Sequence, residues 1–184
     1  PGQPNGPISS IAGDPNNTNR LYAAVTAPNA SAAANASTAI YVSNDTGATW
    51  AQVFGAAQSG GTIHGARQTI LKIATGPDGA VAAAVVDYLA NGGSDVTGLF
   101  WSGDSGKTWT RLPLPPVILR KLPQASVNSV IAVDPNNKNL VYLAGDESRV
   151  APNDTVSAFR IDVTAPPTTA VTSIVGVNHT ADGS

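Results

Sequence analysis

Residues Ser43–Trp50 read SNDTGATW and residues Ser102–Trp109 read SGDSGKTW, both of the form Ser-x-Asp-x-Gly-x-Thr-Trp. We call them motif I and motif II. They stand 59 positions apart, Asp45 to Asp104, and this constrains the fold more than any other feature. A turn-forming phrase that recurs at a fixed distance implies a repeated supersecondary unit. A second repeat has the same period. DPNNTNRLYAA (Asp14–Ala24) returns as DPNNKNLVYLA (Asp134–Ala144), 120 positions on. The stretch GPDGAVAAAV (Gly76–Val85) holds the matching place in the middle unit.

Between these landmarks no window carries an apolar stripe at helical spacing. Short β-rich runs alternate with clusters of Gly, Pro, Asn and Asp. Strands are expected near Ile8–Ala12, Arg20–Thr26, Ala39–Ser43 and Thr49–Phe54, then Thr69–Thr75, Ala80–Asp87, Thr97–Ser102 and Thr108–Leu112. A third set is expected at Val127–Val133, Leu140–Ala144, Val156–Val163 and Ala170–Val177. Four antiparallel strands per repeat of about 60 residues is the signature of a propeller blade. The expected fold is all-β: about three blades of one β-propeller over residues 1–184, an incomplete ring, with units near 8–54, 69–112 and 127–184. Gly55–Gly65 and the Pro-rich Leu112–Gln124 read as linkers.

The motif residues suit a hairpin turn between the third and fourth strands of a unit. Asp45 and Asp104 can accept backbone N–H bonds within the turn. Gly47 and Gly106 supply a positive-φ position. Thr49 and Thr108 are expected to open the next strand, and Trp50 and Trp109 to fill the space between neighbouring sheets, each burying roughly 200 Å². In the Asp-Pro turns, Asp14 and Asp134 read as caps, with Pro15 and Pro135 fixing the next φ.

The motif closely resembles the Asp-box, or BNR repeat, of sialidases, sortilin-type receptors and secreted glycoside hydrolases. The resemblance covers most of the chain through the repeated unit. It implies a propeller whose Asp-boxes lie on the outer rim, with ligand sites on the face at the central channel. On that reading Asp45 and Asp104 are fold devices rather than catalytic acids, and the chain is a fragment of such a protein.

Composition narrows the function classes. Charged residues make up 12% and the net charge is −2, with no basic stripe of the kind nucleic acid demands. There is no Cys, which removes disulfides, thiolate catalysis and Cys-based zinc sites. Nothing approaches the ~20 apolar residues of a membrane span; the longest apolar run is Ala80–Val86. A Gly/Ala/Asn/Ser/Thr-rich chain with Asn-x-Ser/Thr at Asn16, Asn29, Asn35, Asn44, Asn153 and Asn178 fits a secreted or cell-surface protein, although such a chain also makes sequons by chance. No cofactor is expected. A calcium loop needs several converging oxygen ligands, and each Asp-Pro-Asn-Asn turn offers one carboxylate, so no metal is expected either.

A glycosidase needs two acids roughly 5–10 Å apart. The chain has one Glu and eleven Asp, and the motifs and turns absorb many of them. GDESR (Gly145–Arg149) follows the second strand of the third unit, and Asp87 holds the equivalent place in the second. Loops after the second strands emerge on one face, which makes Asp146, Glu147 and Asp87 candidate acids, with Arg149 as a ligand contact. The same residues also read as solvated loops. Further ligand-contact candidates are Trp101, as a sugar-stacking face or as core, and His64 with Arg67 in the glycine-rich linker.

Function is therefore expected in one of three forms: a ligand-recognition module for carbohydrate or protein, part of a sialidase- or xyloglucanase-like glycoside hydrolase, or a structural surface protein. Three units do not close a ring, since propellers need at least four. The ending HTADGS (His179–Ser184) resembles the front half of a third motif. Either another polypeptide segment supplies the remaining blades or copies of the chain associate. The clipped motif favours the first.

Overall fold

Three four-stranded antiparallel sheets hold nearly all of the regular structure. The computed structural model describes residues 3–26, 38–63, 69–88, 93–114, 125–150, 153–165 and 170–174, without the side chains of 146–150 and 153–157. The first sheet comprises β1 (Ile8–Asp14), β2 (Asn17–Val25), β3 (Ala39–Ser43) and β4 (Ala51–Phe54). The second comprises β5 (Thr69–Thr75), β6 (Val81–Tyr88), β7 (Ser94–Ser102) and β8 (Thr110–Leu112). A short helix α1 (Ala125–Asn128) precedes the third, which comprises β9 (Val130–Val133), β10 (Leu140–Val150), β11 (Asn153–Asp162) and β12 (Val171–Ser173). In every sheet each strand pairs with its neighbour in sequence. Such up-and-down sheets, stacked face to face, are propeller blades.

The pattern on β6 shows why the sheets stack. All of VAAAVVD is buried. A strand with both faces covered loses the usual polar alternation. Side chains still alternate in direction. Val81, Ala83 and Val85 join Tyr22, Ile40, Val42 and Phe54 in a core against the first sheet. Ala82, Ala84 and Val86 join Ile131, Val133, Val141, Leu143 and Ile161 in a core against the third. The small alanines let larger residues interdigitate from either side.

The structure corrects several sequence expectations. Thr49 and Thr108 do not open strands; they belong to the turns, and β4 and β8 begin two residues later. Val127 lies in α1 rather than in a strand. GDESR is not a loop after the second strand, because β10 runs on to Val150 and pairs with β11 from Asn153. The third sheet closes its last hairpin between Asp162 and Val171. Its four strands are therefore complete before Thr180–Ser184, which lie outside the described residues. The clipped phrase is not the turn between this sheet's third and fourth strands.

Candidate functional site

Both motifs close their turns with the same bonds. In motif I the Asp45 carboxylate accepts the Thr49 N–H at 2.8 Å, the Thr49 hydroxyl at 2.5 Å and the Ser43 hydroxyl at 2.7 Å. In motif II Asp104 accepts the Thr108 N–H at 2.9 Å, the Thr108 hydroxyl at 2.6 Å and the Ser102 hydroxyl at 2.8 Å. The serine oxygen in turn accepts the glycine N–H, at 2.8 Å in both. Gly47 and Gly106 have φ of +95° and +85°, as expected. Thr46 and Ser105 also have positive φ, which the sequence did not announce. Each Trp indole N–H returns to the glycine carbonyl at 3.0 Å.

These bonds favour the charged carboxylate. The Thr49 hydroxyl, then its N–H and the Ser43 hydroxyl, lower Asp45 to about 2. For Asp104 burial pushes upward, but the Thr108 hydroxyl and N–H and the Ser102 hydroxyl outweigh it and leave the group below its ordinary value. A carboxylate held ionised in this way is a poor general acid.

Motif II also bridges two sheets. The Trp109 indole donates to the Val53 carbonyl of β4 at 2.9 Å, and its ring lies 4.8 Å from Phe54. The Arg20 guanidinium, paired with Asp14 at 3.2 Å, donates to the Ser105 hydroxyl at 2.7 Å. Tyr22 is fully buried beneath this contact, and its hydroxyl makes no well-formed hydrogen bond. Burial raises that phenol above its ordinary range. Trp101 has the corresponding position between the second and third sheets. Its indole donates to the Lys138 carbonyl at 2.9 Å and its ring packs on the core there.

The opposite ends of the sheets carry a different set of polar groups. Asp87 pairs with Thr69, the first residue of β5, whereas motif II begins at Ser102, the residue paired with Val81. Six residues at ~3.3 Å put Asp87 about 20 Å from the motif end. Asp87 is 4% exposed and accepts the Thr69 hydroxyl at 2.6 Å and the Thr97 hydroxyl at 3.0 Å. It belongs to a strand and is not a solvated loop residue. Hydroxyls continue the layer into both neighbours. Thr38, the residue before β3, donates to the Thr69 carbonyl at 3.1 Å, and the Ser94 hydroxyl of β7 meets that of Ser126 in α1 at 3.0 Å. Lys72 donates to the Ser129 carbonyl at 2.5 Å, and burial lowers its pKa.

Beyond this layer the β10–β11 hairpin extends past Ala144, the partner of the first residue of β9. It carries Asp146, Glu147 and Arg149 at strand positions. The pairing slips between Gly145 and Glu147, leaving Asp146 as the extra residue of a bulge. Bulges re-aim side chains and are common beside active sites. His64 and Arg67 lie outside the described residues. Among the described residues no cluster of His, Cys, Asp or Glu could hold a metal ion, and no helix is long and apolar enough to cross a membrane.

Sequence reasoning missed Thr69, Thr97 and Ser94. A signal existed for Thr69, since residues equidistant from the Pro77–Gly79 turn must pair, and Thr69 and Asp87 are such a pair. The Arg20–Ser105 link had none, because it joins different sheets.

No family model matches the sequence, and no curated protein matches it. Solved structures do resemble the fold. YCF48 from Cyanidioschyzon merolae matches with a TM-score of 0.55 at 13% identity, over 97% of this chain and 40% of its own. A GH74 xyloglucanase from Xanthomonas campestris matches with 0.54 at 18% identity, over 92% of this chain and 21% of its own. A Hadza microbial sialidase matches with 0.50 at 13% identity, over 93% and 33%. These likenesses support the propeller fold. The chain spans well under half the length of each of these structures.

Proposed function

We propose that this chain is the module of an exported Asp-box propeller protein that recognises a carbohydrate or protein ligand, with no catalytic site of its own. The observation that carries the reading is the use of both motif carboxylates inside their own turns, about 20 Å from the end that bears Asp87 and the long β10–β11 hairpin. The motifs fasten the blades, and the opposite end is left to meet ligand. The bulge at Asp146 supports placing the contact on that hairpin, with Asp146, Glu147 and Arg149 as its polar groups.

Glycan-array binding by the full chain tests the carbohydrate form. A set of bound glycans is expected, lost in an Asp146→Ala, Arg149→Ala variant whose melting temperature is unchanged. Binding that survives this variant places the contact elsewhere. An array without any bound glycan removes carbohydrate and leaves a protein ligand or a scaffold.

A second reading draws on the sialidase and xyloglucanase neighbours, whose propellers the fold resembles. Under it the chain is part of a glycoside hydrolase, with Asp146 or Glu147 one of two acids. Turnover of chromogenic glycosides by a longer polypeptide containing this chain, abolished by Asp146→Asn with Glu147→Gln, is its expected result. Unchanged turnover in that variant removes these residues from the reaction.

A further inference from the structure

The first strand of the second sheet is tied to the first sheet along its whole length. The Thr69 carbonyl accepts the Thr38 hydroxyl, the Leu71 carbonyl accepts the Ser9 hydroxyl at 2.9 Å, and the Ile73 N–H donates to the Ser10 hydroxyl at 3.3 Å. The Thr75 hydroxyl donates to the Gly13 carbonyl at 2.6 Å, and just past β5 the Asp78 N–H donates to the Asn16 side-chain oxygen at 3.1 Å. Every second residue of β5 thus takes part. Trp109 and Arg20 complete the row at the motif end.

The joint between the second and third sheets cannot repeat this row, and the residue types say why. Ile11, Ile73 and Ile131 each stand three residues before a repeated turn phrase, those beginning at Asp14, Gly76 and Asp134. That register puts Lys72 at the place of Ser10 and Val133 at the place of Thr75. An ammonium has no lone pair to offer the Ile131 N–H, and a valine has no hydroxyl to offer the Thr75 carbonyl. The chain's three tryptophans are Trp50, Trp101 and Trp109, so no motif tryptophan of the third unit reaches back to β8 as Trp109 reaches β4.

The polar contacts of this second joint lie at its two ends. At the Asp87 end the Lys72 ammonium donates to the Ser129 carbonyl at 2.5 Å and to the Val127 carbonyl at 3.4 Å, and the Ser126 N–H donates to the Ser94 hydroxyl at 2.8 Å. These bonds fix α1 and the entry to β9 on the second sheet. At the motif end the Trp101 indole holds the Lys138 carbonyl, in the turn between β9 and β10. An apolar core fills each joint, so the difference lies in the fastening around it.

We propose that the joint between the second and third sheets is a hinge. It pivots at Lys72 and α1, is latched by the Trp101 indole on Lys138, and opens while the joint between the first and second sheets stays shut. Both joints lie inside the chain, on the two faces of β6, so the comparison does not depend on what flanks the sequence. The β10–β11 hairpin moves with the third sheet and the Asp87 layer stays with the second, so opening changes the spacing between them. The bearing of that change on a ligand rests on the hairpin being the contact; the hinge does not.

Thiol labelling of the full chain with iodoacetamide tests the proposal. The chain has no Cys, so a single introduced thiol reports alone. Ala83 and Ala84 are neighbours on β6, both fully buried, Ala83 in the core against the first sheet and Ala84 in the core against the third. The Ala84→Cys variant is expected to label at least about tenfold faster than Ala83→Cys under native conditions. Trp101→Phe keeps a ring but loses the N–H, and is expected to raise the Ala84→Cys rate by about fivefold and leave the Ala83→Cys rate unchanged. Ala82→Cys and Ala24→Cys, buried in the same two cores, repeat the comparison if one of the first pair folds poorly. Equal rates on the two faces overturn the hinge. A Trp101→Phe change that moves both rates alike, or neither, overturns the latch.

Discussion

Motifs I and II share a sequence pattern and differ in what lies beside them. Corresponding bonds inside the two turns agree within 0.1 Å, from the serine hydroxyl to the paired threonine donors. Yet among the described residues only motif II presses on another sheet, through Trp109, Phe54 and Val53. The internal bonds are thus the same in the turn that docks on a described sheet and in the one that does not. Local closure belongs to Ser, Asp, Gly and Thr, and docking belongs to Trp. One phrase thus carries two separable functions.

Tryptophan replacement tests that separation most strongly. Trp109→Ala removes a ring packed between two sheets and is expected to cost about 3–5 kcal/mol. Trp50→Ala removes a half-buried ring and is expected to cost about 1–2 kcal/mol. Urea unfolding at low protein concentration measures both, and equal losses would break the comparison.

The glycines give a smaller contrast. Alanine at either position must adopt a positive φ. At Gly106 the added Cβ also meets Val53 Cγ2 at 3.2 Å, whereas at Gly47 its closest neighbour is Trp50 at 3.7 Å. Gly106→Ala is expected to cost about 2–4 kcal/mol and Gly47→Ala about 1–2 kcal/mol, read from the same unfolding curves.

The smallest effect concerns acid. Asp45 falls from an ordinary 3.8 to about 2 on folding, so its contribution is complete above the ordinary value and fades as pH drops toward about 2. Asp104 shifts in the same direction. The wild type is expected to lose melting temperature across that window. Asp45→Asn should lose less across it, having already lost the charge-dependent part at neutral pH. Parallel melting profiles of variant and wild type against pH would show that the carboxylate bonds are too exposed to matter.

The blade plan was legible because it rests on period, turn residues and alternation, all of which are local. Threonine misled at positions 49 and 108, where β propensity suggested a strand but a carboxylate four residues back captures the N–H. The polar GDESR suggested a loop, yet an antiparallel partner can satisfy a polar strand's backbone as well as an apolar one's. Asp87 suggested exposure until Thr69 and Thr97 supplied hydroxyls from both flanking strands. Trp101 stood open between sugar stacking and core in the sequence, and only the third sheet's Lys138 carbonyl gave its indole a partner. Contacts between sheets depend on stacking geometry that no spacing along the chain encodes.

Among the described residues a single ion pair appears, Arg20 with Asp14. Beside the Arg20–Ser105 and Lys72–Ser129 bonds, indole and hydroxyl donors join the sheets on carbonyl oxygens at Val53, Lys138 and Thr69. The indole and hydroxyl bonds carry no net charge for dissolved ions to screen. The joints made by these neutral bonds should therefore keep the same spacing in brine as in fresh water.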